Sequence, residues 1–195
     1  MKPHKVNDLD NFICGWYMDD TSICDRIIEH YQQSPNKIKG MVGVGANGAV
    51  DNRMKQSTEV LDWPPVLLND YYGHLCDVVR LYKDAYPACA SIYSWGVREG
   101  VNIQHYKPNE GYYAWHCERP HGSQPQVNRV LVFMTYLNEV AVGGETEFAN
   151  QKIKTRAEKG LTLIWPVDWM FLHRGIAAPQ QDKYICTGWF SLLNI

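Results

Sequence analysis

The chain has 195 residues, and 19 Lys and Arg stand against 21 Asp and Glu. At about 150 residues per domain, this is one domain, long enough to bury a core without disulfide staples. A formal net charge of −2 excludes the basic footprint of a nucleic-acid binder, since the longest positive cluster (Lys152, Lys154, Arg156, Lys159) is interrupted by Glu158. No apolar run reaches 18 residues, so no membrane span is expected. The start lacks the apolar stretch of a signal peptide, so a cytoplasmic location is expected. Six cysteines without a C-x-x-C pair argue against structural zinc and read as reduced thiols. The aromatic share, 12%, suits pleated half-buried surfaces and a pocket walled by rings.

In chain order, Asp19-Asp20-Thr21-Ser22 offers capping chemistry ahead of Ile23, Ile27, Ile28 and Tyr31. That stripe predicts a helix over about 22–33, closed by Pro35. Residues 40–62 carry four glycines in nine residues, then polar NRMKQSTE, and read as a mobile loop or irregular hairpin. Leu67, Leu68, Tyr71, Tyr72, Leu75, Val78, Val79 and Tyr82 recur at threes and fours, predicting a helix over about 65–84 that ends before Pro87. From Val101 the period becomes two. Short strands are predicted over 101–106, 112–118, 130–137, 161–165, 170–173 and 184–192. Two helices followed by six or more strands make an α+β domain whose β part is a sandwich or barrel.

Within the run 112–118, alternation puts His116 and Glu118 on one face, about 7 Å apart. His173, 57 positions on, is the best third partner. Two imidazoles and a carboxylate on one side of an ion form the facial triad of non-haem Fe(II) oxygenases. Iron loading would then weaken as pH falls through the histidine titration. H-x-E alone is a weak signal, and a lone histidine such as His173 is more often a hydrogen-bonded core or surface residue. His116, Cys117 and His121 offer a different metal set, though two of them point to opposite faces.

The surroundings decide for the triad. Ile103-Gln-His-Tyr106 through Gly111-Tyr-Tyr113 to His116-Cys-Glu118 comes first. Next come Arg129, Thr135-Tyr136-Leu-Asn138 and Gly143-Gly-Glu-Thr-Glu-Phe148. Leu172-His173 and Lys183-Tyr-Ile-Cys-Thr187-Gly-Trp189 complete the set, His173 and Lys183 being ten apart. Over roughly 100–192 the sequence resembles the prolyl 4-hydroxylase branch of the Fe(II)/2-oxoglutarate dioxygenases. Lys55-Gln-Ser57-Thr also resembles a segment of that branch's substrate-covering loop. The resemblance implies a double-stranded β-helix (a cupin-like jelly roll) over 100–195, with helical support and a Gly-rich loop over 1–99, all one domain. It implies His116, Glu118 and His173 as iron ligands. It also implies Lys183 on the distal carboxylate of 2-oxoglutarate, with Tyr106, Tyr136 and Thr187 as hydroxyl partners. Alternation places Lys183, Ile185, Thr187 and Trp189 on one face. The second ligand is Glu118 where this branch has Asp, so its extra methylene must fold back to reach the same metal.

The expected activity is that of an Fe(II)/2-oxoglutarate-dependent hydroxylase. It consumes O2, with ascorbate as a further candidate cofactor, and releases succinate and CO2. Arg129, Tyr113 and Trp115 are candidate substrate contacts, and the 40–62 segment is a candidate lid. A peptide or protein containing proline is the expected substrate by resemblance. Two alternatives stay open: a non-catalytic jelly-roll binding module, and an oxygenase of the same fold acting on a nucleobase. Oligomeric state is unreadable from the sequence.

Overall fold

The computed structural model describes residues 1–43, 48–92, 94–119 and 124–193. After a 3-10 turn, β1 (Cys14–Tyr17) leads into α1 (Ser22–Gln33), whose entry is tied by the Asp20 carboxylate accepting from the Ser22 amide at 2.8 Å. α1 buries Ile23, Cys24, Ile27 and Tyr31 along one stripe. A short hairpin pairs β2 (Ile38–Lys39) with β3 (Thr58–Val60). α2 (Pro65–Ala85) begins with proline, where a missing N–H costs nothing, and buries Leu67, Tyr71, Leu75, Val78 and Tyr82. One turn of helix, α3 (Ala88–Ser91), follows. Then come β4 (Trp95–Val97), β5 (Asn102–Tyr106), β6 (Arg129–Tyr136), β7 (Thr146–Phe148) and β8 (Ile153–Thr155). β9 (Leu161–Pro166), β10 (His173–Gly175) and β11 (Lys183–Leu192) complete the chain. Among the described residues no helix is long and apolar enough to cross a membrane.

Two antiparallel sheets result. The major one runs β1-β9-β6-β11-β5-β3-β2, with β4 also paired to β11, and the minor one runs β10-β7-β8. This is the jelly-roll sandwich. Strand alternation divides its cores. Leu131 and Phe133 of β6, with Ile103, Ile164, Cys186 and Phe190, join α1 and α2 in one cluster. The opposite-parity residues Val132, Met134 and Tyr136, with Leu163, Trp165 and Ile185, face the minor sheet and Phe148 in a second cluster. A strand buried on both faces reads as a continuous apolar run, which is why β6 stands out in the sequence.

β11 pairs with β6 on one side and with β5 and β4 on the other, so it is the spine of the sheet. Gly188 lies opposite Phe133 there, and a Cβ on it would sit 2.3 Å from the Phe133 ring. Gly188→Ala is therefore expected to lower stability by about 1–3 kcal/mol. Urea unfolding reads this as a lower midpoint, and an unshifted midpoint would show that the ring has room to move.

The structure departs from the periodicity reading in three places. Residues 112–118 are no regular strand, because Tyr112 and His116 make only isolated bridges, to Lys55 and His173. Predicted strand 170–173 is instead a 3-10 turn, Trp169–Phe171, with β10 beginning at His173. The N-terminal half also gives four strands, β1 to β4, to the major sheet, too short for a period of two to register. The 40–62 segment is an irregular hairpin at its base, with Val42 bridged to Ala49, and its residues 44–47 lie outside the described residues.

Candidate active site

The two histidines are joined through the backbone. The His116 amide donates to the His173 carbonyl at 3.0 Å, and the His173 amide donates to the His116 carbonyl at 2.9 Å. This doubly bonded antiparallel pair holds a residue from the 112–118 loop directly against the first residue of β10. The Glu118 amide donates to Val167 O at 3.0 Å, which fixes the third residue's backbone. His116 Nε2 and His173 Nε2 lie 3.4 and 3.3 Å from Glu118 Oε1. One donor atom from each of the three residues falls within 4.8 Å of the others.

The ring tautomers follow from the far side. His116 Nδ1 is 3.0 Å from Ala114 O and His173 Nδ1 is 3.0 Å from Phe171 O. A carbonyl only accepts, so each Nδ1 carries a proton and a neutral ring presents a bare Nε2 lone pair to Glu118. Burial first, then the neighbouring His173, push His116 below its ordinary 6.5, which favours that neutral ring. Burial opposes charge on Glu118, but hydrogen bonds and charge from the two imidazoles, supplied when a ring also carries a proton on Nε2, outweigh it and hold the carboxyl well below its usual range; a cation between them would take the place of that proton. Three electron-pair donors thus converge on one point, and a cation fits there. Tyr112 stacks on His116 at 3.6 Å and 9°, while Trp165 and Phe148 flank His173 at 5.1 and 5.8 Å.

His116, Glu118 and His173, with Tyr112 and Trp165, line a cavity of about 330 Å³. Lys183, Ile185, Thr187 and Trp189 all line it, from alternate positions of β11, as do Asn102, Gln104 and Tyr106 of β5. Lys183 is 3% exposed, and its ammonium meets Gly144 O at 3.3 Å and the Tyr106 ring at 4.8 Å. No carboxylate lies within ion-pair reach of it among the described residues. Burial lowers its pKa to about 8, against the pull of Glu145. A buried cation with unused N–H bonds at a cavity wall fits a carboxylate ligand. Gly143 and Gly144, both at positive φ (75° and 77°), form the turn that brings the accepting carbonyl there; a Cβ on Gly143 would sit 2.4 Å from Ala177 O.

Other expected contacts fall differently. Tyr136 does not line the cavity: its hydroxyl donates to Thr146 Oγ1 at 2.6 Å inside the second core, and Thr146 is the cavity residue. Tyr106 lines the wall, but its hydroxyl proton goes to Gln104 Oε1 at 2.6 Å, and that of Thr187 goes to Phe133 O at 3.1 Å. As placed, neither offers a proton to an incoming carboxylate. Tyr113 and Trp115 are not lining residues; from this irregular segment Tyr112, His116, Cys117 and Glu118 line the cavity. The Tyr113 hydroxyl donates to Asn109 O, and Trp115 lies outside beneath Arg174. Arg129 lines the cavity with its hydrogen bonds directed at Glu99 and Glu118. His121 lies outside the described residues.

The sequence reading missed Tyr112, Thr146, Glu99 and Asn102. Tyr112 shares parity with His116, but parity does not decide in a segment that is no regular strand; nothing local marks Glu99. From the 40–62 segment, Met41, Val42, Gly43, Lys55, Glu59 and Leu61 wall the cavity. The Lys55 ammonium and Glu59 carboxylate form a buried ion pair there.

The model of the 2OG-Fe(II) oxygenase superfamily matches residues 101–191. No curated protein matches the chain significantly. Among solved structures it resembles the viral collagen prolyl hydroxylase of Paramecium bursaria Chlorella virus-1, in a 2OG complex. Their TM-score is 0.67 at 17% identity over 95% of this chain and 98% of that one. A Trichoplax adhaerens prolyl hydroxylase in complex with a hypoxia-inducible-factor peptide fragment gives 0.74 at 15% identity, over 96% and 89%. A Pseudomonas putida prolyl-4-hydroxylase gives 0.65 at 15%, over 95% and 96%. At these identities the likeness fixes the fold.

Proposed function

We propose that this chain is a 2-oxoglutarate- and Fe(II)-dependent dioxygenase, a reading supported by the family match over residues 101–191, and that it hydroxylates a peptidyl substrate at proline. The single observation that carries the chemistry is the convergence of His116, Glu118 and His173 within 4.8 Å, on the wall that also holds the unpaired Lys183. His116 Nε2, His173 Nε2 and Glu118 Oε1 would hold Fe(II), and Lys183 would take the distal carboxylate of 2-oxoglutarate. Bound iron and 2-oxoglutarate supply O2 activation for C–H hydroxylation, with succinate and CO2 as coproducts. The chain's own residues orient and dry the site: Trp165, Phe148 and Tyr112 pack the ligand rings, and the 38–43 wall covers the cavity.

A peptide substrate is supported by the polar wall of β5. Asn102 Nδ2 donates to Glu59 Oε2 at 2.6 Å, while Asn102 Oδ1 is buried at the cavity with no hydrogen-bond partner among the described residues. A buried acceptor asks for a donor, and a backbone amide supplies one. The choice of proline rests on the structural neighbours, which are prolyl hydroxylases by name, one of collagen and one bound to a peptide fragment.

The test is succinate formation with Fe(II), 2-oxoglutarate, ascorbate and a proline-rich peptide pool, read with peptide mass gain of one oxygen. Coupled turnover is expected. Losing one buried hydrogen bond, Asn102→Ala should raise the peptide KM about three- to tenfold. An unchanged peptide KM would remove Asn102 from substrate binding. No succinate and no iron binding would make the chain a binding module. Demethylation of alkylated DNA with peptides inert would make it a nucleobase oxygenase.

A further inference from the structure

Glu118 is one methylene longer than the aspartate of the resembling branch, and a longer carboxylate can close on a metal with both oxygens. Its two oxygens here have separate partners. Oε1 faces the two imidazoles, at 3.4 and 3.3 Å. Oε2 accepts from Trp189 Nε1 at 2.9 Å and lies 3.6 Å from the Arg129 guanidinium.

Those two donors are themselves held. Arg129 is 7% exposed, and Glu99 clamps it with both oxygens, at 2.8 and 2.5 Å. Its Nη1 also donates to the Glu118 carbonyl at 3.1 Å, so it grips the residue's backbone and side chain together. The guanidinium lies 3.5 Å above the Trp189 ring, which fixes where the indole N–H points.

Resting on the metal reading above, we propose that Trp189 and Arg129 are positioning residues that anchor the outer oxygen of Glu118 and make it a one-oxygen ligand. The longer side chain folds back because its far oxygen is pinned to β11, away from the ion. Held to one oxygen, Glu118 would leave room at a bound ion that a two-oxygen glutamate would fill. Aspartate, one methylene shorter, would have to turn its carboxylate toward its own backbone to keep the inner oxygen at the imidazoles, which draws the outer oxygen off the indole N–H.

The test is a double-mutant cycle of Trp189→Phe and Glu118→Asp, read as Mn(II) affinity and as the visible spectrum of the Co(II)-loaded protein. Trp189→Phe keeps a ring under Arg129 and removes only the N–H donor. It is expected to weaken Mn(II) binding about tenfold with Glu118 present and to lower Co(II) absorptivity as a second oxygen joins the ion. In the Glu118→Asp background it should change affinity less than about twofold. Equal weakening in both backgrounds, or no weakening with Glu118, overturns the proposal. If Trp189→Phe does not fold, Arg129→Lys, which keeps charge and loses the fork, carries the same comparison. Glu118→Ala separates the two readings: unchanged Mn(II) binding in that variant would sink the metal site itself.

Discussion

Replacing His173 by alanine is expected to abolish turnover, by at least about a thousandfold, equivalent to about 4 kcal/mol. The substitution removes one of three electron-pair donors from a point where Glu118 Oε1 and His116 Nε2 already lie 3.4 Å apart. Two donors do not define a facial site, so Mn(II) affinity should fall with activity. The fold should survive, because β10 is held to His116 by two backbone bonds that need no side chain. Circular dichroism and the urea midpoint separate loss of site from loss of structure. Added imidazole should restore part of the Mn(II) binding, since the space between Phe148 and Trp165 would be vacant. Turnover within tenfold of wild type would remove His173 from the site. The pH dependence has a definite sign. His116 is held below 6.5 by burial and by His173, so metal binding is complete at neutral pH and lost as pH falls below that range.

Much of this site was legible because strand parity is a strong rule. The β11 alternation put Lys183, Ile185, Thr187 and Trp189 on the cavity wall, and the candidate ligands His116 and Glu118 face that cavity together although their segment is no regular strand. The rule does not decide among Tyr112, Tyr113 and Trp115, because 112–118 is no regular strand and both His116 and Cys117 line the cavity. What parity cannot supply is depth. Tyr136 shares the inward face of β6 with Met134, yet it sits under the minor sheet, where Thr146 and Thr155 satisfy its hydroxyl. Partners brought by long-range pairing were also out of reach. Glu99 meets Arg129 because β11 sets Ser191 between Arg129 on one side and Gly96 of β4 on the other, three residues before Glu99. The two helices were readable from period because each buries a single stripe of four or five residues. Strands β1 to β4 were not, since two to four residues hold no period.

Lys183→Ala is expected to raise the 2-oxoglutarate KM by about two to three decades, with Mn(II) affinity nearly unmoved. Three of the four expected partners line the cavity, and of these the lysine alone has donor bonds still unused, since Tyr106 and Thr187 have committed their hydroxyl protons. Its truncation would leave the cosubstrate carboxylate desolvated without a countercharge. The ligand-free protein should respond in the opposite direction. A buried ammonium with no ion-pair partner is destabilising, so Lys183→Met should raise the melting temperature at neutral pH. The linkage sign agrees: the folded pKa, about 8, lies below the ordinary 10.5, so the penalty is full below about 8 and relieved as pH climbs between those values. Cosubstrate binding needs the charged form, so the wild-type KM for 2-oxoglutarate should begin to rise above about pH 8. In Lys183→Ala that break should vanish while the histidine limb at low pH persists. A KM in Lys183→Ala within threefold of wild type, or a wild-type KM flat across that range, would remove Lys183 from the cosubstrate. The same unpaired charge that weakens the empty fold is what the cavity holds ready for a carboxylate.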